Sequence, residues 1–334
     1  MKTRSWAAAA VVAGLLLCVT ARSGYAQTTA DLTTKPWQGK QFGETLDKVL
    51  YEEQGHVKGE DDRGAQIFWW DSKGRFRFSE TDPDAFSLAY RYLTINFDSN
   101  SRNVPDTLDD ISLAGGIHIG DFGDGWHVST VLGLGYSGDN LFADVNGLYG
   151  IGHLLAQRNT SDTDSIVLGI MFDGSSGLFP DIPLPEFAFV HRTPEFTYSL
   201  GFPQSSLRWL VADNLALQVG YKMPYTGDVT LEYTFGSGFS VFGSFSNAFD
   251  AFYQDGHGRE DRIFYEMRRA EIGIRYQNPD VASQIKSGLS LDAALTVGYA
   301  WDQQLTTGFD VRNRDVQAEI SDAPYIGLVV VGTF

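Results

Sequence analysis

Residues 288–301 limit most sharply what this chain can fold into. Leu289, Leu291, Ala293, Leu295, Val297, Tyr299 and Trp301 alternate without a break with Ser290, Asp292, Ala294, Thr296, Gly298 and Ala300. Successive side chains of a strand point to opposite faces, so the segment is a strand with one wholly apolar face and one small or polar face. Ordinary strands run to about 5–6 residues; this alternation is far longer. The scheme recurs. Residues 125–136 set Trp126, Val128, Thr130, Leu132, Leu134 and Tyr136 against His127, Ser129, Val131, Gly133 and Gly135. Residues 214–223 set Leu215, Leu217, Val219, Tyr221 and Met223 against Ala216, Gln218, Gly220 and Lys222. Residues 228–236 set Val229, Leu231, Tyr233 and Phe235 against Thr230, Glu232 and Thr234. A soluble β-sandwich shares the alternation but keeps its outward positions polar. Here aromatics stand at the strand ends, where a membrane barrel places its interfacial girdles.

Both ends of the chain support a barrel outside the cytoplasm. Lys2 and Arg4, the apolar run Ala7 to Ala21 and the small-residue site Ser23 to Ala26 form a secretory signal. The run is too short to span a bilayer, which takes about 20 residues. Cys18 is the only cysteine and lies within it, preceded by Leu17, so neither a disulfide nor lipidation is expected of the mature chain. At the far end Ile326, Leu328, Val330 and Phe334 fall on one face of a last strand that ends in an aromatic. Such a strand closes the sheet and is read by the barrel-assembly machinery. Net charge is −17, and removal of the signal takes three cations and no acid, leaving −20. That sign repels phosphates and argues against nucleic acid. Aromatics reach 13% and glycines number 36, with the hydrophobicity hidden in alternation.

Eight further strands are expected at 85–98, 109–120, 141–151, 163–173, 193–203, 239–250, 262–277 and 323–334. The expected fold is therefore all-β, a transmembrane antiparallel up-and-down β-barrel of about 12 strands over residues 85–334. Residues 1–26 are its signal peptide. Residues 27–84 are a polar N-terminal extension in the periplasm or a plug. Segments 99–108, 174–192, 251–261 and 302–322 read as external loops, and 121–124 and 237–238 as periplasmic turns. The stretch from Gly174 to Pro194 either folds inward as a constriction or packs over the rim. Residues 85–98 change phase near Tyr92, which reads as a bulge or a shifted register.

Several blocks resemble a family of bacterial outer-membrane β-barrel proteins of unknown function. They are Leu132 to Asn140, Phe179 to Phe189, Leu200 to Trp209 and Arg262 to Gly273. The resemblance covers the region from residue 85 to residue 334. It implies the fold and an outer-membrane location, and brings no activity with it. Gly332 departs from the usual terminal strand, where a larger residue is common.

No constellation for enzymatic chemistry stands out. Ser244-Phe-Ser-Asn-Ala248 lacks the histidine that a lipid A deacylase site places two residues before its serine. His127 and Ser129 share a strand face about 7 Å apart, too far for a direct bond. Asp255 to Asp261 lacks metal-ligand spacing on a rigid element and reads as an external loop. The inner face is more informative. Lys222, Glu232, Arg269, Glu271, Arg275 and Asp292 fall opposite the apolar face, and a charge facing lipid costs up to ~2–4 kcal/mol at midplane. These six are the candidate lumen-lining residues; they either fill the lumen as salt-bridged networks or line a polar passage. The leading function is a narrow channel or transporter for small solutes in the outer membrane, reached after export through the periplasm. The alternative is a structural or surface-interaction barrel without a pore, with a lipid-modifying enzyme ranking last. The expected partners are outer-membrane lipids, lipopolysaccharide, the assembly machinery and a small solute. No cofactor is expected.

Overall fold

The computed structural model describes residues 42–59, 64–79, 82, 84–277 and 290–334. The signal peptide with Cys18, residues 27–41 and the connection 278–286 lie outside the described residues. Seventeen strand segments are present among those described. The first four are β1 (Gly43–His56), β2 (Gly64–Arg77), β3 (Ser87–Ser99) and β4 (Thr107–Phe122). Then come β5 (Trp126–Gly138), β6 (Leu148–Asn159), β7 (Asp164–Asp173) and β8 (Leu184–Arg192). Short strands follow: β9 (Phe196–Phe202), β10 (Gln204–Ala212), β11 (Leu215–Lys222) and β12 (Thr226–Thr234). The longest stand last: β13 (Phe239–Tyr253), β14 (Arg262–Gln277) and β15 (Ser290–Asp310), then β16 (Asn313–Ile320) and β17 (Ala323–Thr333).

Each strand from β1 to β15 pairs antiparallel with the next, and β1 pairs with β17, so the sheet closes. β16 and β17 form one stave. They pair with the upper and lower parts of β15, and Ser321 between them donates its amide to the His56 carbonyl at 2.8 Å. The barrel thus has sixteen staves among the described residues, not about twelve. At the seam Phe42 and Gly43 donate to the Phe334 carbonyl at 2.9 and 2.8 Å, and Phe334 donates back to Gly43 at 3.0 Å. The Phe334 ring packs edge-on to Phe42, with centroids 5.3 Å apart.

Four staves account for the difference in number, and each hides its alternation for a physical reason. Residues 27–84 were expected as an extension or plug, yet 43–56 and 64–77 are staves β1 and β2. In β1, Glu44, Lys48 and Glu52 face inward while Asp47 and Glu53 face outward, so charge appears on both faces. In β2, Asp71, Lys73, Arg75 and Arg77 crowd the inner face while Ser72 and Gly74 dilute the outer one. β8 lies inside the expected loop 174–192 and begins Leu184-Pro185-Glu186. β10 is joined to β9 through Pro203 alone, so no polar turn marks the boundary. Most of the expected loop 302–322 is strand as well, divided between β15 and β16.

The outer surface is apolar over the middle of the barrel. Leu134, Leu132, Ile272 and Leu295 are 73%, 69%, 67% and 64% exposed, as side chains facing lipid must be. Phe122, Trp126, Phe235, Phe239 and Tyr276 ring the end that carries Gly43 and Phe334. Tyr221, Tyr225, Tyr299 and Trp301 ring the other. Beyond Trp301 the exposed Arg268–Asp302 pair, at 2.8 Å, marks where the apolar surface stops. β13 to β16 continue past that level, whereas β9 to β12 end near it.

The phase change near Tyr92 is not a bulge. β3 keeps an unbroken register with β2 and β4 throughout. Below Tyr92 the apolar residues Leu88 and Tyr90 face outward. Above it Leu93, Ile95 and Phe97 face inward and are buried, while Thr94, Asn96 and Asp98 face outward. The strand swaps its apolar face because its upper half packs inside the barrel.

Candidate solute path

A barrel of sixteen staves is wide enough for an aqueous channel, yet here the half of the lumen away from Phe334 is filled. β2 carries Asp71, Lys73, Arg75 and Arg77 inward below and Ala65, Ile67 and Trp69 inward above. β14 does the same, with Arg269, Glu271 and Arg275 below and Ile263, Tyr265 and Met267 above. The upper residues join Leu93, Ile95, Phe97, Leu108, Phe252, Leu305 and Ile320 in one buried cluster across the lumen. Phe97 meets Tyr265 edge-on at 5.4 Å.

The upper parts of β13 and β14 form a lid. In the membrane these strands alternate in burial, but residues 262–267 are buried on both faces. One face packs on the cluster against β1 to β4. The other, carrying Phe249, Ala251, Tyr253 and Phe264, meets the opposite wall. β5 stands eight staves from β13, half-way round the barrel, yet Ser137 of β5 donates its hydroxyl to the Ala251 carbonyl at 3.2 Å. Opposite walls touch only because the lid crosses the mouth.

The loop 174–183 secures the lid, so this stretch neither constricts the lower lumen nor merely covers the rim. Arg262, fully buried, donates to the carbonyls of Ser176 and Ser175 at 2.7 and 2.8 Å. Its guanidinium lies 4.9 Å from the Tyr253 ring centre and 5.4 Å from that of Phe264. Tyr253 donates its hydroxyl to the Gly174 carbonyl at 2.5 Å, and the Val311 amide donates to Gly177 at 3.1 Å. Gly177 sits so close that a Cβ there would lie 2.3 Å from the Phe249 ring. At the β15–β16 turn, Arg312 stacks 4.3 Å over Phe179 while Asp310 grips its guanidinium. That grip holds the Asp310 carboxyl below its ordinary range.

Below the lid the inner wall carries charge of both signs. Lys48 pairs with Glu271 at 3.4 Å, and Glu271 also accepts from the hydroxyls of Tyr325 and Ser244 at 2.8 and 3.1 Å. Arg269 lies 5.4 Å from the Trp69 ring centre and donates to Ser246 at 3.3 Å. Arg275 pairs with Glu232 at 2.6 Å. Lys222 stands near the top of β11, beside a cavity under the lid. Asp292 lies near the opposite end on β15. All six candidate residues therefore occupy the face away from the apolar exterior, and the structure joins Glu271 to Lys48, which sequence reasoning placed in the extension. Across the lumen Ala188, Ser199, Ala216 and Thr230 face inward and are half-buried, whereas Glu186, Val190, Gln218, Asp228 and Glu232 on the same strands are buried. His127 bonds through Nδ1 to Asp121 at 2.5 Å rather than to Ser129, and Ser244 turns to Glu271.

Comparison with known proteins assigns no family: no family model matches, and no curated protein does. Solved structures with some likeness include a toluene transporter and a monoaromatic hydrocarbon channel. A Pseudomonas aeruginosa FadL homologue has a TM-score of 0.43 at 8% identity, covering 92% of this chain and 93% of its own. The Pseudomonas putida toluene transporter TodX gives 0.30 at 11%, with 92% of each chain covered. Acinetobacter baumannii OccAB4 gives 0.33 at 8%, covering 89% of this chain and 100% of its own. At such scores these likenesses carry no argument about function, and the fold rests on the strand pairings themselves.

Proposed function

We propose that this barrel is a gated channel for small solutes in the outer membrane, seen with its extracellular lid closed. The observation that carries the reading is the contact between opposite walls, Ser137 to Ala251, across the mouth of a barrel of sixteen staves. A barrel built only as a wall has no need of sixteen staves, since a narrower one fills its interior with side chains alone. The closure here comes instead from strands that rise above the membrane and are held by a loop, a detachable arrangement.

In this reading Lys222, Glu232, Arg269, Glu271, Arg275 and Asp292 line the route below the lid, and their mixed charge favours polar solutes over apolar ones. The apolar exterior contacts outer-membrane lipid and lipopolysaccharide. The strand ending in Phe334 offers itself to the assembly machinery before it closes on Gly43. Swelling of proteoliposomes in isosmotic small sugars or amino acids tests the function. Uptake above that of empty liposomes supports a channel. Uptake equal to the empty control, in the wild type and in a variant lacking residues 175–181, leaves a sealed structural barrel.

A further inference from the structure

A cavity of about 100 Å3 lies under the lid, between β13 and the β11–β12 turn. That is room for roughly three waters or the head of a small solute. Its charged lining is Arg91, Asp110, Asp173, Lys222 and Asp250. Three carboxylates thus face two cations. The Arg91 guanidinium is shared among Asp71 at 3.1 Å, Asp250 at 3.2 Å and Asp110 at 3.5 Å. Asp110 also accepts the Tyr149 hydroxyl at 2.6 Å. The other two carboxylates are less occupied. Asp173 accepts the Ser175 amide through Oδ1 at 3.0 Å, and Asp250 engages Arg91 through Oδ1, so the Oδ2 of each carries no hydrogen bond. The Phe249 ring forms part of the same wall.

We infer that this cavity is a recognition subsite for the ammonium head of a small organic cation. An ammonium supplies several donors and a positive charge to two carboxylate oxygens that have acceptor capacity left. An anion meets the surplus of carboxylates, and a neutral alcohol supplies one donor where two acceptors wait. The inference rests on the channel reading for its meaning, since it names the solute class the route would select.

Calorimetric titration of the full chain in detergent micelles tests it, with ethylammonium as probe, propionate as its charge-reversed counterpart and propanol as the neutral one. Ethylammonium alone should give saturable binding. Asp173→Asn should weaken it by about tenfold, and Lys222→Met, which removes a competing positive charge, should tighten it. Asparagine keeps an acceptor for the Ser175 amide, and circular dichroism of each variant checks the fold. Equal heats for the three probes, or binding unmoved by both substitutions, would overturn the inference. Micelle binding is independent of flux. Binding without uptake into liposomes keeps the subsite and removes the channel, and uptake without binding does the reverse.

Discussion

Arg262 on the lid donates from both terminal nitrogens to the loop carbonyls of Ser176 and Ser175, at 2.7 and 2.8 Å. A hydrogen bond to a charged group contributes about 1.5–3 kcal/mol, so this one side chain supplies much of what ties the loop to the lid. Arg262→Ala should raise amide exchange across residues 174–183 by an order of magnitude or more, while exchange in β5 and β14 below Arg268 stays slow. Arg262→Lys, with a single ammonium in place of the fork, should fall between.

The cluster above the charged belt is an ordinary close-packed core in an unusual place. Phe252 is fully buried among Ile263, Leu305 and Ile320. Phe252→Ala should destabilise the lid by about 3–5 kcal/mol. Two-step urea unfolding in micelles should follow, with the lid lost first, in place of the single transition of the wild type.

Lys48 and Glu271 are both buried, so breaking their pair should cost more than deleting it. Lys48→Met alone leaves the buried Glu271 carboxylate with Arg269 as its nearby cation and should cost up to about 3–5 kcal/mol. The double variant Lys48→Met with Glu271→Leu should recover most of that loss, although Tyr325 and Ser244 lose an acceptor. Denaturation midpoints of the three proteins decide it.

Acid should act on the β15–β16 turn at the extracellular tip. The Asp310 carboxyl is held below its ordinary 3.8 by the hydrogen bonds and charge of Arg312. A carboxyl with a depressed folded value contributes stability that is complete above 3.8 and is lost as pH falls through the lower folded value. Fluorescence or exchange at the Phe179 loop should therefore be flat from neutrality to pH 4 and change only in stronger acid. Asp310→Asn should show the changed signal at neutral pH and no acid step.

The sequence was most legible where one face meets lipid and the other meets water. β14 and the membrane part of β15 show this, because lipid demands an apolar residue at every second position. It was least legible where that demand lapses. β1 and β2 carry charge inward against Arg91 and Glu271, and polar residues also stand on their outer faces. β3 exchanges its apolar face at Tyr92 because lid contact replaces lipid contact. The lid was invisible for a related reason: residues buried on both faces, such as Ile263 to Met267, show no period at all. The six inward charges could be read from alternation alone. The partner of Glu271, Lys48, could not, because register across the seam depends on which segments become staves.

Single-channel recording in planar bilayers, with wild type and Arg262→Ala side by side, tests the gate most directly. A latched lid predicts a wild type that is closed for most of the record with brief openings. It also predicts an Arg262→Ala protein that conducts for most of the record at the same unit conductance. A wild type that is steadily open, or an Arg262→Ala protein as silent as the wild type, would contradict the gate.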